Sequence, residues 1–139
     1  MKKNVIAISM AALLAASCTT TNKAVSAADL NGEWTVEKVN GTAIDKSKTE
    51  NEVFLGFNVA EKRVYGSAGC NRLTGAFEVT ADGIDLSKTG ATRMMCADMT
   101  TEDMILGAMP NIKSFRTGKK GILLLTDASG KTVMELKKK

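Results

Sequence analysis

Apolar and polar positions alternate along most of this chain, and the period changes once. Glu33–Val39 reads as a strand with Trp34 and Val36 on one face, and Asn40-Gly41 behind it is a turn signal. Lys46–Asn51 is charged and aperiodic, hence loop. Val53, Leu55, Phe57 and Val59 alternate over the next strand, where Gly56 marks a bulge or a close crossing. Arg63–Ser67 predicts a third strand. Leu73, Gly75, Phe77 and Val79 alternate along a fourth, and Ala81-Asp82-Gly83 turns the chain into Ile84–Leu86.

After Cys96 the apolar period becomes 3.6. Met104, Ile105, Ala108, Met109 and Ile112 mark one face of a helix that Thr100 or Thr101 can cap and Pro110 ends. Glu102 and Asp103 fall in its first turn, where a negative charge suits the helix dipole. Strands return at Ile112–Arg116, Ile122–Thr126 and Thr132–Leu136, separated by Gly118–Gly121 and Asp127–Gly130. About eight short strands and one helix predict a mainly β (α+β) fold. The apolar face of such a sheet must curl or be covered, which favours a meandering antiparallel, barrel-like sheet with the helix closing one opening.

Two runs interrupt the alternation. Gly66-Ser67-Ala68-Gly69-Cys70-Asn71-Arg72-Leu73-Thr74-Gly75 is punctuated by glycine, and Gly90-Ala91-Thr92-Arg93-Met94-Met95-Cys96 echoes it. Each brings its irregular part to a cysteine, so the two runs are expected to face each other.

The N-terminus carries a different signal. Met1-Lys2-Lys3 is basic, and Val5–Ala16 is apolar and uncharged, too short for a bilayer span of about 20 residues. Residues 1–17 therefore read as a signal peptide. Cys18, directly after Ala15-Ala16-Ser17, resembles the lipobox of bacterial lipoproteins, although Ala15 stands where that motif commonly has leucine. Ordinary cleavage after Val25-Ser26-Ala27 is the alternative. Residues 18–28 are small and polar, as in a tether, and residues 29–139 form one β domain. Thr19 after the cysteine favours the outer membrane, with the domain facing the periplasm. Loss of Lys2 and Lys3 leaves 17 basic and 15 acidic residues, a balance that gives no argument for nucleic acid. A monomer held to the membrane through its N-terminal lipid, with a protein or small molecule as partner, is the expectation.

Candidate chemistry is sparse. The chain has no histidine, which removes the commonest general base and most zinc sites. With Cys18 acylated, Cys70 and Cys96 remain as an even pair in an exported protein. A disulfide across those 26 residues stabilises by about 3.5 kcal/mol in the chain-entropy model. A redox pair or two buried thiols are the alternatives. Of the eight methionines, five lie between Met94 and Met109, which suits a core filler or, beside Cys96, soft Cu(I) ligation. Arg72 and Arg93 either share a surface that holds a carboxylate or phosphate, or pair with acids such as Asp98 or Glu78. Lys119-Lys120 and Lys137–Lys139 either are solvated ends or rest on anionic lipid. No cofactor is called for.

Leu30-Asn31-Gly32-Glu33-Trp34, Val39-Asn40-Gly41, Gly69-Cys70-Asn71 with Gly75, Ala91–Cys96, Glu102 and Leu123–Leu125 together resemble the META domain of heat-inducible HslJ-like lipoproteins. The likeness runs in order over about residues 29–136. It implies a compact antiparallel β fold with one helix. It also implies an envelope protein connected in some members with heat response, drug tolerance or motility. Asn71 is implied to be a structural signature that ties its loop through backbone hydrogen bonds. No catalytic mechanism follows. The expectation is a non-enzymatic binding or stress-protection module with Asn71, Arg72 and Arg93 on its motif surface. A thiol-redox or Cu(I) protein and an inhibitor of a hydrolase are the rivals.

Overall fold

The computed structural model describes residues 26–81 and 83–139. A short 3-10 turn at Ala27–Leu30, capped by Ser26, leads into β1 (Gly32–Val39). There follow β2 (Thr42–Ala43), β3 (Val53–Asn58), β4 (Arg63–Ala68), β5 (Arg72–Ala76), β6 (Glu78–Thr80), β7 (Gly83–Asp85) and β8 (Thr89–Ala91). The helix α1 (Thr100–Ala108) comes next, then a 3-10 turn at Met109–Asn111, β9 (Ser114–Thr117), β10 (Ile122–Thr126) and β11 (Thr132–Lys138).

Eight strands run in the order β8-β5-β4-β3-β1-β11-β10-β9, all antiparallel, and curl into an open half-barrel. Two short strands lie beside this path: β2 extends the turn after β1, and β6 pairs with β7 in a separate hairpin. The hairpin reaches the far edge of the sheet, where the Ile84 amide donates to the Lys113 carbonyl at 2.9 Å.

The period-two pattern explains what the barrel encloses. Trp34, Val36, Leu55, Phe57, Val64, Leu73, Leu123, Leu125 and Leu136 all point inward and are buried. A bulge between Val36 and Lys38 lets Val39 rejoin the inner face. Helix α1 packs its Ile105 and Ala108 onto the core beside β1 and β4. Gly66 sits where a Cβ would run into the Phe54 carbonyl of the neighbouring strand, so the close approach of β4 to β3 requires glycine there.

Three expectations need correction. The alternation of Leu73 to Val79 is not one strand: β5 ends at Ala76, Phe77 stays buried, and β6 leaves the main sheet with Val79 exposed. Neither threonine caps α1. Met99 is the N-cap residue and makes no side-chain cap bond, while the Asp98 carboxylate accepts from the Thr100 amide at 2.8 Å. The last strand does not stop at Leu136: β11 carries through Lys137 and Lys138, which pair with β1 and remain exposed.

Candidate functional site

The turn between β4 and β5 consists of Gly69, Cys70 and Asn71, and it is closed by the Ala68 amide donating to the Asn71 carbonyl at 3.0 Å. Asn71 is 1% exposed, yet each of its side-chain atoms is used. Its Oδ1 accepts from the Met94 amide (2.6 Å) and the Thr92 hydroxyl (2.9 Å). Its Nδ2 donates to the Met94 carbonyl (2.9 Å) and to Oε1 of Glu102. The other oxygen of Glu102 accepts from the amides of Cys70 (3.1 Å) and Asn71 (2.7 Å).

A disulfide joins Cys70 to Cys96, with their Cα atoms 5.9 Å apart. The segment from Thr92 to Cys96 is thus fastened to the β4–β5 turn by both a covalent bond and the Asn71 side chain. With both in a disulfide, neither Cys70 nor Cys96 is a thiolate available to Cu(I) or for nucleophilic work in this form.

This clamp borders a groove of about 940 Å³ on the outer face of β3, β4 and β5. Register explains the lining. Phe54, Ser67 and Arg72 form one cross-strand row, and Tyr65 with Thr74 the next. Met94, held at both ends of its peptide by Asn71, closes the side near the disulfide. Phe54 and Tyr65 meet edge to face with centroids 6.4 Å apart. Behind them Lys139 lies 4.6 Å from the Phe54 ring centroid and bonds Glu52 (3.0 Å) and Glu33 (3.1 Å). Those bonds, Glu52 first, hold the Lys139 ammonium above its ordinary 10.5. The Tyr65 hydroxyl is pushed above 10.0, first by burial and then by the Glu33 carboxylate, so it stays a neutral donor.

Arg72 is exposed at the groove wall, whereas Arg93 is exposed on the connecting segment and does not line it. The acids suggested as their partners are engaged elsewhere: Glu78 pairs with Lys88 at 3.6 Å, and Asp98 accepts from Thr100. The methionines divide. Met109 and Met134 are buried, but Met94 and Met95 are 59% and 86% exposed and fill no core. Among the described residues no group of three or more His, Cys, Asp or Glu side chains is arranged to hold a metal. Cys18 lies outside the described residues.

Glu102 is the residue whose role the sequence conceals. Its place in the first helical turn suggests a solvated charge facing the dipole, but it is 3% exposed and bonded to a turn 31 residues upstream. Its signal in the sequence is its place among the residues of the META resemblance, which carries no information about burial.

A search of curated proteins returns no match. Among solved structures, the chain is similar to an NMR structure of a protein from Burkholderia xenovorans, with TM-score 0.63 and 18% identity over 100% of this chain and 99% of that one. It is also similar to a second protein solved by NMR, with TM-score 0.61 and 21% identity over 81% and 94% of the two chains. A crystal structure of a DUF4847 family protein from Bacteroides vulgatus gives TM-score 0.53 and 15% identity over 79% and 94%. These likenesses concern the fold alone. The META domain family model matches residues 27–139. Together with the Cys70-Asn71 turn and its Glu102 anchor, that match makes the chain a member of the META domain family.

Proposed function

We propose that this chain is a lipid-anchored protein of the bacterial envelope whose META domain works as a non-enzymatic binding module. The observation that carries the reading is the groove beside the disulfide clamp. Its walls are Phe54, Tyr65 and Met94, its exposed cation is Arg72, and the strands that display them are pinned by buried bonds. A guanidinium fork beside aromatic rings suits a ligand that joins a carboxylate to an apolar body. The absence of histidine from the chain supports binding over acid–base or nucleophilic catalysis. The basic start, the short apolar run and Cys18 support export and acylation. Thr19 supports the outer membrane, with the domain facing the periplasm. A role in stress protection would follow from holding such ligands.

Two measurements test the two halves. The intact mass of the chain recovered from bacterial membranes should correspond to residues 18–139 plus acyl groups, and an unacylated mass would overturn the anchor. For the groove, the 15N-labelled chain is titrated with octanoate and with phenylacetate. Amide shifts should map to Tyr65, Arg72 and Met94 and should vanish in Arg72→Ala. Shifts confined to other surfaces would remove the groove from the reading.

A further inference from the structure

We infer that the end of the barrel where the domain begins is a docking face for anionic phospholipid headgroups, presented to the membrane that holds the acyl chain. The inference rests on the lipid-anchor reading and adds an orientation to it.

Four segments far apart in sequence meet at this end. The Lys138 ammonium donates to the carbonyl of Asn31 and lies 4.4 Å from the Trp34 ring centroid, which fixes the end of β11 on the start of β1. The Lys138 amide donates to the Gly121 carbonyl at 2.9 Å, which brings the Lys119-Lys120 turn alongside. The Asn31 side chain accepts from the Val59 amide at 3.1 Å, and the Val59 carbonyl accepts from the Lys62 amide at 3.3 Å, adding the β3–β4 turn.

The unpaired charges of this end are mostly basic. Lys62, Lys119, Lys120, Lys137 and Lys138 are exposed, and among the described residues none of them forms an ion pair. Carboxylates lie among them as well: Asp29 accepts from the Ser26 amide at 2.9 Å, and Glu61 adjoins Lys62. Lys137 and Lys138 border a groove that also carries Glu37, Glu50 and Glu52, of which Glu37 pairs with Lys46 and Glu52 with Lys139. Glu33 is neutralised by Lys139. The strand pairings thus gather basic runs that the sequence keeps apart.

Chain length supplies the second argument. Cys18 and Ser26 are separated by 8 residues, whose full extension reaches at most about 29 Å. A domain of this size has a radius of gyration of about 13 Å. A lipid on Cys18 therefore keeps the Ser26–Asn31 end within one molecular diameter of the bilayer. Lysines close to an anionic surface each strengthen binding about fivefold, and the attraction fades within a Debye length.

The test uses the chain from residue 18 onward with Cys18→Ser, so that no acyl group contributes. Its partition is measured into vesicles of phosphatidylglycerol mixed with phosphatidylcholine, and into phosphatidylcholine alone. Binding to the anionic vesicles, weakening from roughly 50 to 200 mM salt, is expected. Lys119→Gln with Lys120→Gln should lower it about 25-fold, two charges at about fivefold each. Lys48→Gln with Lys131→Gln, an equal loss of charge at the opposite end, should leave it within about twofold. Equal partition into both vesicles, no partition at low salt, or equal losses in the two double variants would each overturn the docking face. The anchor stands or falls separately: an acylated chain with no headgroup preference removes the docking face alone, and an unacylated one removes the anchor.

Discussion

Asn71 and Glu102 are joined twice: the Asn71 backbone amide donates to Oε2 at 2.7 Å, and its side-chain amide donates to Oε1. One carboxylate therefore fixes both the path of the β4–β5 turn and the rotamer of the residue that holds Met94. Glu102→Gln retains one acceptor but turns an amide group toward buried donors, and should cost about 2 kcal/mol. Glu102→Ala leaves the Cys70 and Asn71 amides without their acceptor and should cost more. Urea titration measures both losses, with the midpoint falling and the slope unchanged.

The disulfide should account for a separate share of stability. Thermal unfolding with and without dithiothreitol should differ by about 3.5 kcal/mol, and Cys70→Ala with Cys96→Ala should reproduce the reduced value. A difference near zero would mean that the Asn71 clamp alone holds the Thr92–Cys96 segment in place.

Two glycines make a ranked pair. Gly66→Ala drives a methyl into the Phe54 backbone carbonyl, which cannot move without breaking the β3–β4 ladder. Gly56→Ala meets the Tyr65 ring, a side chain free to swing outward. The first substitution should cost about 3 kcal/mol or prevent folding, and the second about 1–2 kcal/mol. The Gly56→Ala chain should also lose the Phe54–Tyr65 edge contact, visible as shifted ring resonances.

Acid should weaken the turns first. Hydrogen bonds from Ser47, Ser87, Thr100 and Ser129 respectively hold Asp45, Asp85, Asp98 and Asp127 below their ordinary 3.8. Because the folded values are the lower ones, the stability these groups add is fully present above pH 3.8 and disappears as pH falls through the folded values. Melting temperature should be flat from pH 7 to about 5 and drop below about 4. Asp98→Asn with Asp127→Asn should flatten that drop.

Strands whose side chains face a core on one side were readable from sequence. Val53, Leu55 and Phe57 mark β3 because burial alternates with the pleat, and Leu123 with Leu125 marks β10 for the same reason. The stretch from Leu73 to Val79 kept its alternation while its backbone changed sheets at Phe77, since periodicity records which side faces the core and not which strand is the neighbour. Thr89-Gly90-Ala91 has no apolar rhythm at all; it is a strand only because β5 offers it a partner. In the site, the cysteines and Asn71 could be picked out, but the burial of Glu102 depends on a turn that folds over the helix start from 31 residues away. Arg72 and Arg93 belong to matching runs, yet register sends only Arg72 to the groove.

The pairing of β1 with β11 joins Trp34 to Lys138, across 104 positions of chain. A polypeptide holding only the first hundred residues has a β1 without its second neighbour and lacks the β11-β10-β9 side of the sheet. Pairing across so much chain raises the contact order, and the domain should fold slowly for its length. While the β1–β11 ladder is missing, the apolar faces of Trp34, Val36 and Leu55 lack part of their cover, which makes the unfinished sheet the aggregation-prone form of this chain.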